Sequence, residues 1–399
     1  MYRKEKSDQM LNQIGRKTFQ SNGIMTCCIS LYFIMLPFGA VSLGKEGSVL
    51  KFIAVLPCFF FLLIYQRIVL SKIVILQFFL IIKCIVDLCY TIEVNSSIQV
   101  IRTNILFLVL LVATGCANFD HSELKVIRNS LVWASRITCI LLIFFGSFKE
   151  NRYLLSGVIT EDPNYLNGYF LFGLVHAVQA LRSDDHKKIK ILSLLEISIY
   201  FSASILTGSR GGLLSLIVSV FLMVVLGSNT RNRGNRKKII IFLLLMIIFL
   251  CLLEIIPESS TSRFYLPTVM STGGTHRFEI WKKSLEIFIE SNVFREIFGY
   301  GCGTIRSIYL THQYMDVVSH NVFIQQILEG GIISFTLYSL IICCCLNFLI
   351  QKKDWMLFSC FIGFIVLSLS TSIMTFKPYW NAILIVNLLS GNDRILSQE

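Results

Sequence analysis

The sequence predicts an all-α polytopic membrane protein, on three observations. Of its 399 residues, 54% are hydrophobic and only 15% are charged, whereas average soluble domains are about a quarter charged. The mean hydropathy of the whole chain is +0.69, so too little polar side chain exists to cover a water-soluble core. Long apolar runs recur along the chain, and only 6 residues are proline. These observations exclude soluble enzyme folds and extended disorder.

About twelve stretches are long and apolar enough for transmembrane helices, because a span needs about 20 mostly apolar residues. They lie near residues 24–43, 49–65, 71–90, 101–117, 130–147, 165–181, 189–206, 211–227, 239–256, 332–350, 355–371 and 379–390. The first span follows a basic tail and lacks a small-residue cleavage site. We therefore expect it to be an uncleaved span rather than a signal peptide.

Lysine and arginine concentrate on one side of the predicted membrane, the side of the N-terminal tail. The positive-inside rule places that side in the cytoplasm. The same distribution accounts for most of the net charge of +12, so it implies no nucleic-acid partner. The predicted organisation is a cytoplasmic tail at 1–23, nine spans within 24–256, an outside loop at 257–331, three spans within 332–390 and a cytoplasmic tail at 391–399.

The outside loop at 257–331 is by far the longest hydrophilic stretch, and long loops in compact proteins tend to be functional. Apolar residues at helical spacing predict a helix from Arg277 to Asn292. A flexible, glycine-rich turn is predicted next, at 298–304. A second helix is predicted from His320 to Glu329, broken by the glycine pair that comes next.

Thr207–Gly212, with the sequence T-G-S-R-G-G, joins two predicted spans by a very short outside connection. Arg210 is thereby held at the outer boundary of the membrane. Its guanidinium and the free N–H groups of the next helix suit a phosphate, and Gly211 lets the backbone approach a ligand. The alternative is an arginine that merely reaches the polar interface from a tight turn.

Arg277 opens the predicted loop helix, and Trp281 lies one turn later on the same face. A guanidinium can bind two phosphate oxygens at once. The alternative is a solvated helix face, which is favoured by the charged neighbours Lys282, Lys283 and Glu286.

His320 and Asn321 precede the helix that returns to the membrane. A histidine with a pKa near neutrality can accept a proton from a hydroxyl nucleophile or hold that hydroxyl by a hydrogen bond. The alternative is a loop histidine without a role. His276 and His312 lie in the same loop, and the sequence alone does not separate the three.

The segment Glu161–Tyr165 stands just before the sixth span, on the outside. Pro163 disfavours helix at the residue before it, so a shaped turn that brings Asn164 to the outer cavity is one interpretation. A plain helix start with proline near its first position is the somewhat stronger alternative.

Several charged residues lie in or near predicted spans, among them Lys83, Asp87, Arg136, Glu196 and Glu254. Intramembrane charge often marks a transport pathway. A Lys–Asp pair four residues apart on a helix can also neutralise itself, and we favour this structural interpretation.

The sequence predicts neither a metal site nor a bound cofactor. It contains no H-E-x-x-H or C-x-x-C motif, and the outside acidic residues are scattered. Of the 13 cysteines, only Cys302 lies in a polar loop. Because the others lie in or beside apolar runs, where cysteine behaves as a small hydrophobe, we predict no structural disulfide.

The order and sidedness of these motifs resemble the O-antigen ligase/polymerase superfamily. The resemblance is strongest over residues 160–345. It is carried by T-G-S-R-G-G at 207–212, R-x-x-x-W at 277–281, F-G-Y-G at 298–301, and the H-N and E-G-G pairs within 320–331.

The resemblance implies a metal-independent glycosyltransferase of the bacterial inner membrane that works on its periplasmic side. Its donor would be a glycan on undecaprenyl pyrophosphate. Arg210 and Arg277 would hold the pyrophosphate, and His320 would orient or deprotonate the acceptor hydroxyl. The expected substrate-binding residues are Arg210, Gly211, Arg277, Trp281, Asn321 and Asn164. The implied partners are the lipid-linked oligosaccharide, the bilayer, a chain-length regulator and a flippase.

The D-P-N-Y turn at 162–165 and the F-G-Y-G segment look more like those of polymerases, which join lipid-linked repeat units. The alternative within the superfamily is a ligase that transfers the finished chain to lipid A–core. A flippase or secondary transporter is the alternative of another class. It is disfavoured because a transporter places its key charges at mid-membrane, whereas the dense charge here lies in one outside loop.

Overall fold

The computed structural model describes residues 23–38, 70–117, 119–149, 152–155, 162–183, 186–227, 234–255, 261, 264, 276–372 and 377–396. The helices are α1 (Gly23–Ile34), α2 (Lys72–Asp87), α3 (Val94–Cys116), α4 (His121–Phe145), α5 (Pro163–Ser183), α6 (Lys187–Leu206), α7 (Arg210–Leu226), α8 (Gly234–Ile255), α9 (Arg277–Ile289), α10 (Val293–Phe298), α11 (Ile305–Thr311), α12 (Val322–Lys352), α13 (Trp355–Ser368) and α14 (Lys377–Leu396). A 3-10 turn at Leu36–Phe38 follows α1.

Two short strands interrupt the helical chain. β1 (Ser147–Lys149) and β2 (Arg152–Leu154) pair antiparallel, with Phe148 opposite Tyr153. The two rings lie 5.0 Å apart between centroids. The all-α prediction therefore misses one hairpin, which is too short for its alternation to stand out beside the long apolar runs.

Within the described residues, four helices are long and apolar enough to cross a membrane, namely α3, α4, α6 and α12, and α1, α7 and α13 are apolar but shorter. The prediction of a helical membrane protein is confirmed. The predicted span at 49–65 lies outside the described residues, and each other predicted span contains a helix. The count of twelve spans stays a prediction.

The outward faces of the helices are apolar. Phe144 and Leu192 are 75% and 64% exposed, and Ile240 on α8 is 63% exposed. Surfaces of this kind are unfavourable in water but suit contact with lipid chains.

Charges inside the helical bundle are paired. The ammonium of Lys83 lies 2.6 Å from the carboxylate of Asp87 one turn later, and both side chains are buried. Arg136 on α4 lies 2.9 Å from Glu196 on α6, while Glu254 is exposed at the end of α8. These contacts support the structural interpretation of the intramembrane charges.

The predicted helix at 320–329 and the predicted span at 332–350 form one helix, α12. It begins at Val322, two residues later than predicted, and it bends at Gly331, which has a φ of 64°. The bend leaves the carbonyls of Leu328 and Glu329 without helical partners. The N–H groups of Tyr300 and Gly301 donate to them at 3.0 and 2.8 Å.

The glycine turn packs directly against this bend. A Cβ at Gly331 would meet the carbonyl of Ile297, and a Cβ at Gly299 would meet the carbonyl of Glu329. Glycine is required at both positions because φ is positive and the two backbones touch. The turn predicted to be flexible is thus fixed against α12.

Connections that are far apart in the sequence meet at one end of the bundle. The hydroxyl of Tyr165 at the start of α5 donates to the carbonyl of Ser372 at 2.6 Å. A Cβ at Gly211 would meet the side chain of Ser370. The hydroxyl oxygens of Ser319 and Ser372 lie 3.5 Å apart. This end, which we call the outer end, carries the candidate site.

Candidate active site

Arg210 is the first residue of α7, after a tight turn. Gly208 in this turn has a φ of 63°, a conformation that glycine adopts without steric cost. The hydroxyl of Ser209 accepts the N–H of Gly212 at 3.0 Å and so caps α7. The remaining N–H groups of the first turn, and the positive end of the helix dipole, lie beside the Arg210 guanidinium.

Asn164 fixes this turn from the neighbouring helix. Its side-chain oxygen accepts the hydroxyl of Ser209 at 2.6 Å, and its side-chain N–H donates to Asp162 at 3.1 Å. Asp162 also accepts the backbone N–H of Asn164 at 2.7 Å. α5 begins at Pro163, so the helix-start interpretation of this segment is confirmed. Asn164 is 6% exposed and acts here by positioning the turn that carries Arg210.

Arg277 opens α9 at the same end of the bundle, half-buried. Burial lowers the pKa of the Arg277 guanidinium. The carboxylate of Asp162 raises this pKa, and the positive charges of Arg152 and Arg210 lower it. Burial and Arg152 likewise lower the pKa of Arg210. Three guanidinium groups and one carboxylate therefore share a neighbourhood, and their mutual repulsion favours an anion there.

Trp281 ties α9 to the histidine segment. Its indole N–H donates to the carbonyl of Ser319 at 3.0 Å, and its ring packs edge-on against Phe278. The tie brings the N-terminus of α9, with Arg277, beside His320.

His320 lies in the short segment that precedes α12, in the left-handed region with a φ of 50°. Such a backbone is uncommon for a residue with a Cβ and is held by its surroundings. The hydroxyl of Ser319 donates to the carbonyl of Asn321 at 3.0 Å. The side chain of Asn321 accepts the N–H groups of Phe323 and Ile324. Asn321 is thus the cap of α12, and the capped segment presents His320.

The imidazole of His320 is influenced by two charged neighbours, Arg277 and Asp162. Burial lowers its pKa, Arg277 lowers it further, and Asp162 opposes both. Its Nδ1 atom is buried and has no hydrogen-bond partner among the described residues. An imidazole with a lowered pKa is neutral at pH 7 and can accept a proton.

The other loop histidines are engaged elsewhere. His276 is largely exposed and pairs with Glu279 at 3.2 Å. The ring of His312 bonds the carbonyl of Ile308 at 2.8 Å and packs edge-on against Tyr300. The charge of Arg277 lowers the pKa of His320, which links this histidine to the arginine cluster.

Two charged neighbours of Arg277 are not among the site residues predicted from the sequence. Arg152 comes from the unpredicted hairpin and Asp162 from the turn before α5. The position of Asp162 in a shaped outside turn was a usable signal. Nothing local marked Arg152, because its importance comes from neighbours that are remote in the sequence.

One group of described residues has the chemistry of metal ligands. Ligand atoms of Cys84, Asp87 and Cys302 lie within 4.8 Å of one another, and all three residues are buried. The Asp87 carboxylate is already paired with Lys83 at 2.6 Å and accepts the hydroxyl of Tyr90. Lys83 also donates to the carbonyl of Phe298, so this group fastens α2 to the segment before the glycine turn.

Residues 197–339 match the sequence profile of the O-antigen ligase family. The matched region holds Arg210, Arg277 and His320. The match covers less than half of the chain. Over that region it supports the resemblance predicted from the motifs, and it does not distinguish polymerase from ligase.

The other comparisons add little. Among curated proteins, no match is found. A solved chain from a study of polymerization and crosslinking by a peptidoglycan synthase complex aligns with 83% of this chain and 99% of its own length. The two are 15% identical, with a TM-score of 0.48. A likeness of that degree assigns neither fold nor function.

Proposed function

We propose that this protein is an O-antigen polymerase of the bacterial inner membrane. It transfers a glycan from undecaprenyl pyrophosphate to a sugar hydroxyl of another lipid-linked repeat unit, at the periplasmic face, for lipopolysaccharide biosynthesis. The observation that supports the proposal most directly is the position of Arg277 at the outer end of the bundle, where it has Arg152 and Arg210 as charged neighbours and also acts on His320.

In the proposed reaction the acceptor oxygen forms a bond to the anomeric carbon while the bond from that carbon to the pyrophosphate oxygen breaks. The hydroxyl proton passes to the neutral imidazole of His320. The electron pair of the broken bond leaves with the pyrophosphate, whose charge the guanidinium groups stabilise. Removal of one such electrostatic contact typically lowers a rate by about 10²–10³-fold, and removal of a general base by about 10²–10⁴-fold.

Arg210 and Arg277 are assigned to the pyrophosphate because both head helices at the outer end and both are partly buried. A cation that loses hydration in this way gains most from a dianionic partner that accepts several hydrogen bonds. Asn164, Trp281 and Asn321 support the site by holding the segments that carry these groups. Gly211 leaves room beside Arg210, where a Cβ would meet Ser370.

The test uses cells in which the gene is replaced by single variants, with lipopolysaccharide separated on a gel. Arg210→Lys and Arg277→Lys keep the charge but lose the planar fork, and His320→Ala removes the proton acceptor. Each variant should abolish long-chain O-antigen while a single repeat unit still reaches the core. Two controls should retain the full ladder: Arg128→Lys, whose residue pairs with Asp354 away from the site, and His312→Ala.

The same gel separates the alternatives. A ligase is the second candidate because the matching profile is described as O-antigen ligase. Loss of a ligase would strip all repeats from the core while lipid-linked polymer accumulates, and loss of a flippase would remove even the single repeat. An unchanged ladder in all three site variants would refute a catalytic role for these residues. The chain-length regulator and flippase partners belong to the same proposal and would be sought by cross-linking in these cells.

A further inference from the structure

A cavity of about 550 Å³ opens beside the candidate active site, among α2, α3, α11, the first turns of α12 and α14. The described residues that line it do not include Arg210, Arg277 or His320. Its size falls within the range of about 300–1,000 Å³ that is typical of ligand pockets. The site described above therefore does not account for this cavity.

The lining of the cavity changes character along α3. In order from the outer end it comprises Glu93, Ser96, Gln99, Val100, Thr103, Asn104, Leu106, Phe107 and Leu110. The first part is mostly polar and the last part apolar. At 1.5 Å per residue, the stretch from Glu93 to Leu110 covers roughly 25 Å of helix. The cavity is thus polar at the outer end and apolar toward the membrane interior.

The residues that α12 and α14 contribute agree with this gradient. At the polar end α12 contributes Gln325, Gln326 and Glu329. At the apolar end Trp380 of α14 packs edge-on against Phe107, with 4.9 Å between ring centroids. A graded lining of this kind matches a molecule with a polar head and a hydrocarbon chain.

Gln325 marks the polar end as a binding surface. Its side chain is 9% exposed, and its N–H donates to Glu329 at 3.0 Å. Its side-chain oxygen is buried and has no hydrogen-bond partner in the described part of the chain. A buried acceptor without a partner is unfavourable, so a hydroxyl donor from a ligand would be favourable there.

The charge of the lining selects the head group. Of the described lining residues Arg306 alone is cationic, while Glu93 and Glu329 are acidic. The hydroxyl of Ser307 donates to Glu93, and the N–H of Ile305 donates to Glu329 at 3.0 Å. Amide and carboxylate oxygens accept from hydroxyl groups. This surface suits sugar hydroxyls, in contrast to the guanidinium cluster, which suits phosphate.

We propose that the cavity binds a glycolipid, with its sugar at the polar end and its hydrocarbon chain at the apolar end. Its role as the acceptor site rests on the function proposed above. Gln325 lies one helical turn after Asn321, which caps α12 next to His320. A sugar held by Gln325 would lie within reach of the imidazole, so donor pyrophosphate and acceptor sugar would occupy separate sites on either side of His320.

The binding experiment uses the full chain in lipid nanodiscs and an alkyl maltoside with a diazirine at the end of its chain. After irradiation, the label should map to the apolar end, on α3 or α14. Leu106→Trp, which fills the cavity, should reduce labelling about tenfold, the equivalent of roughly 1.4 kcal/mol. Gln325→Leu should also reduce labelling. Ile105→Trp, whose residue is 43% exposed on the lipid-facing side of the same helix, should leave labelling unchanged.

Label that maps elsewhere, or labelling that Leu106→Trp leaves intact, would overturn the binding site. The acceptor role is measured separately, as O-antigen chain length in cells that carry Leu106→Trp. Lost labelling with a normal ladder would overturn that role alone. The proposed catalytic function fails instead if Arg210→Lys, Arg277→Lys and His320→Ala all keep the ladder. Arg277 does not line the cavity. The Arg277→Lys variant should therefore be labelled to the same extent as the unmodified chain.

Discussion

The hydrogen bond from Trp281 to Ser319 gives the sharpest test of how the site is assembled. The indole N–H donates at 3.0 Å to a carbonyl whose residue is fully buried. Trp281→Phe keeps an aromatic ring beside Phe278 but removes the donor. A buried carbonyl that loses its partner costs about 1–3 kcal/mol. If that energy holds His320 in place, the loss corresponds to a rate reduced roughly 5- to 150-fold.

The assay is the initial rate of glycan transfer by the purified protein in nanodiscs, with extracted lipid-linked repeat units as substrate. The turnover rate should fall within that range, and KM should change much less. Trp133→Phe is the matched control, since Trp133 is 50% exposed on α4. An unchanged turnover rate in Trp281→Phe, with folding confirmed by its thermal unfolding curve, would refute this positioning role.

Three further outcomes are expected. Because burial lowers the pKa of His320, transfer should lose activity only below the ordinary imidazole range near pH 6.5. Asp162→Asn removes the charge that raises this pKa, so the acid limb of the pH–rate profile should move to still lower pH; a shift to higher pH would contradict the assignment. Gly331→Ala should lower the unfolding temperature, since its φ is 64° and a Cβ would meet backbone; equal unfolding temperatures would show that the bend is not required. Lys83→Met leaves the carboxylate of Asp87 buried without its partner. The free energy of unfolding, measured with denaturant, should fall by about 3–5 kcal/mol. The double variant Lys83→Met/Asp87→Asn should recover much of this loss.

The candidate site shows which functional residues can be predicted from local sequence patterns and which cannot. Arg210 and Arg277 could be named because each stands at a helix start with glycine or aromatic neighbours. Arg152 could not, because its role arises from a hairpin that brings it to residues far away in the chain. Substrate binding by Asn164 and Trp281 stays a prediction. The tertiary structure adds what the sequence did not indicate, namely that their hydrogen bonds hold the turn and the loop in place.

The glycine segments also combine a feature that the sequence predicts with one that it does not. The sequence indicated a break at Gly330 and Gly331, but not that the freed carbonyls would be satisfied by the turn at 299–301. That pairing depends on two backbones meeting across the bundle. It converts a stretch predicted to be flexible into a fixed support between α10 and α12.

The membrane class, the helical architecture and the resemblance to O-antigen ligases follow from the sequence itself, because hydropathy and motif order are properties of the linear chain. Which charges meet, which amides are structural and where a graded cavity opens were decided only by the tertiary structure. The physical reason is that electrostatic and hydrogen-bond energies depend on distances between groups that the chain separates widely, and packing of the helices alone sets those distances.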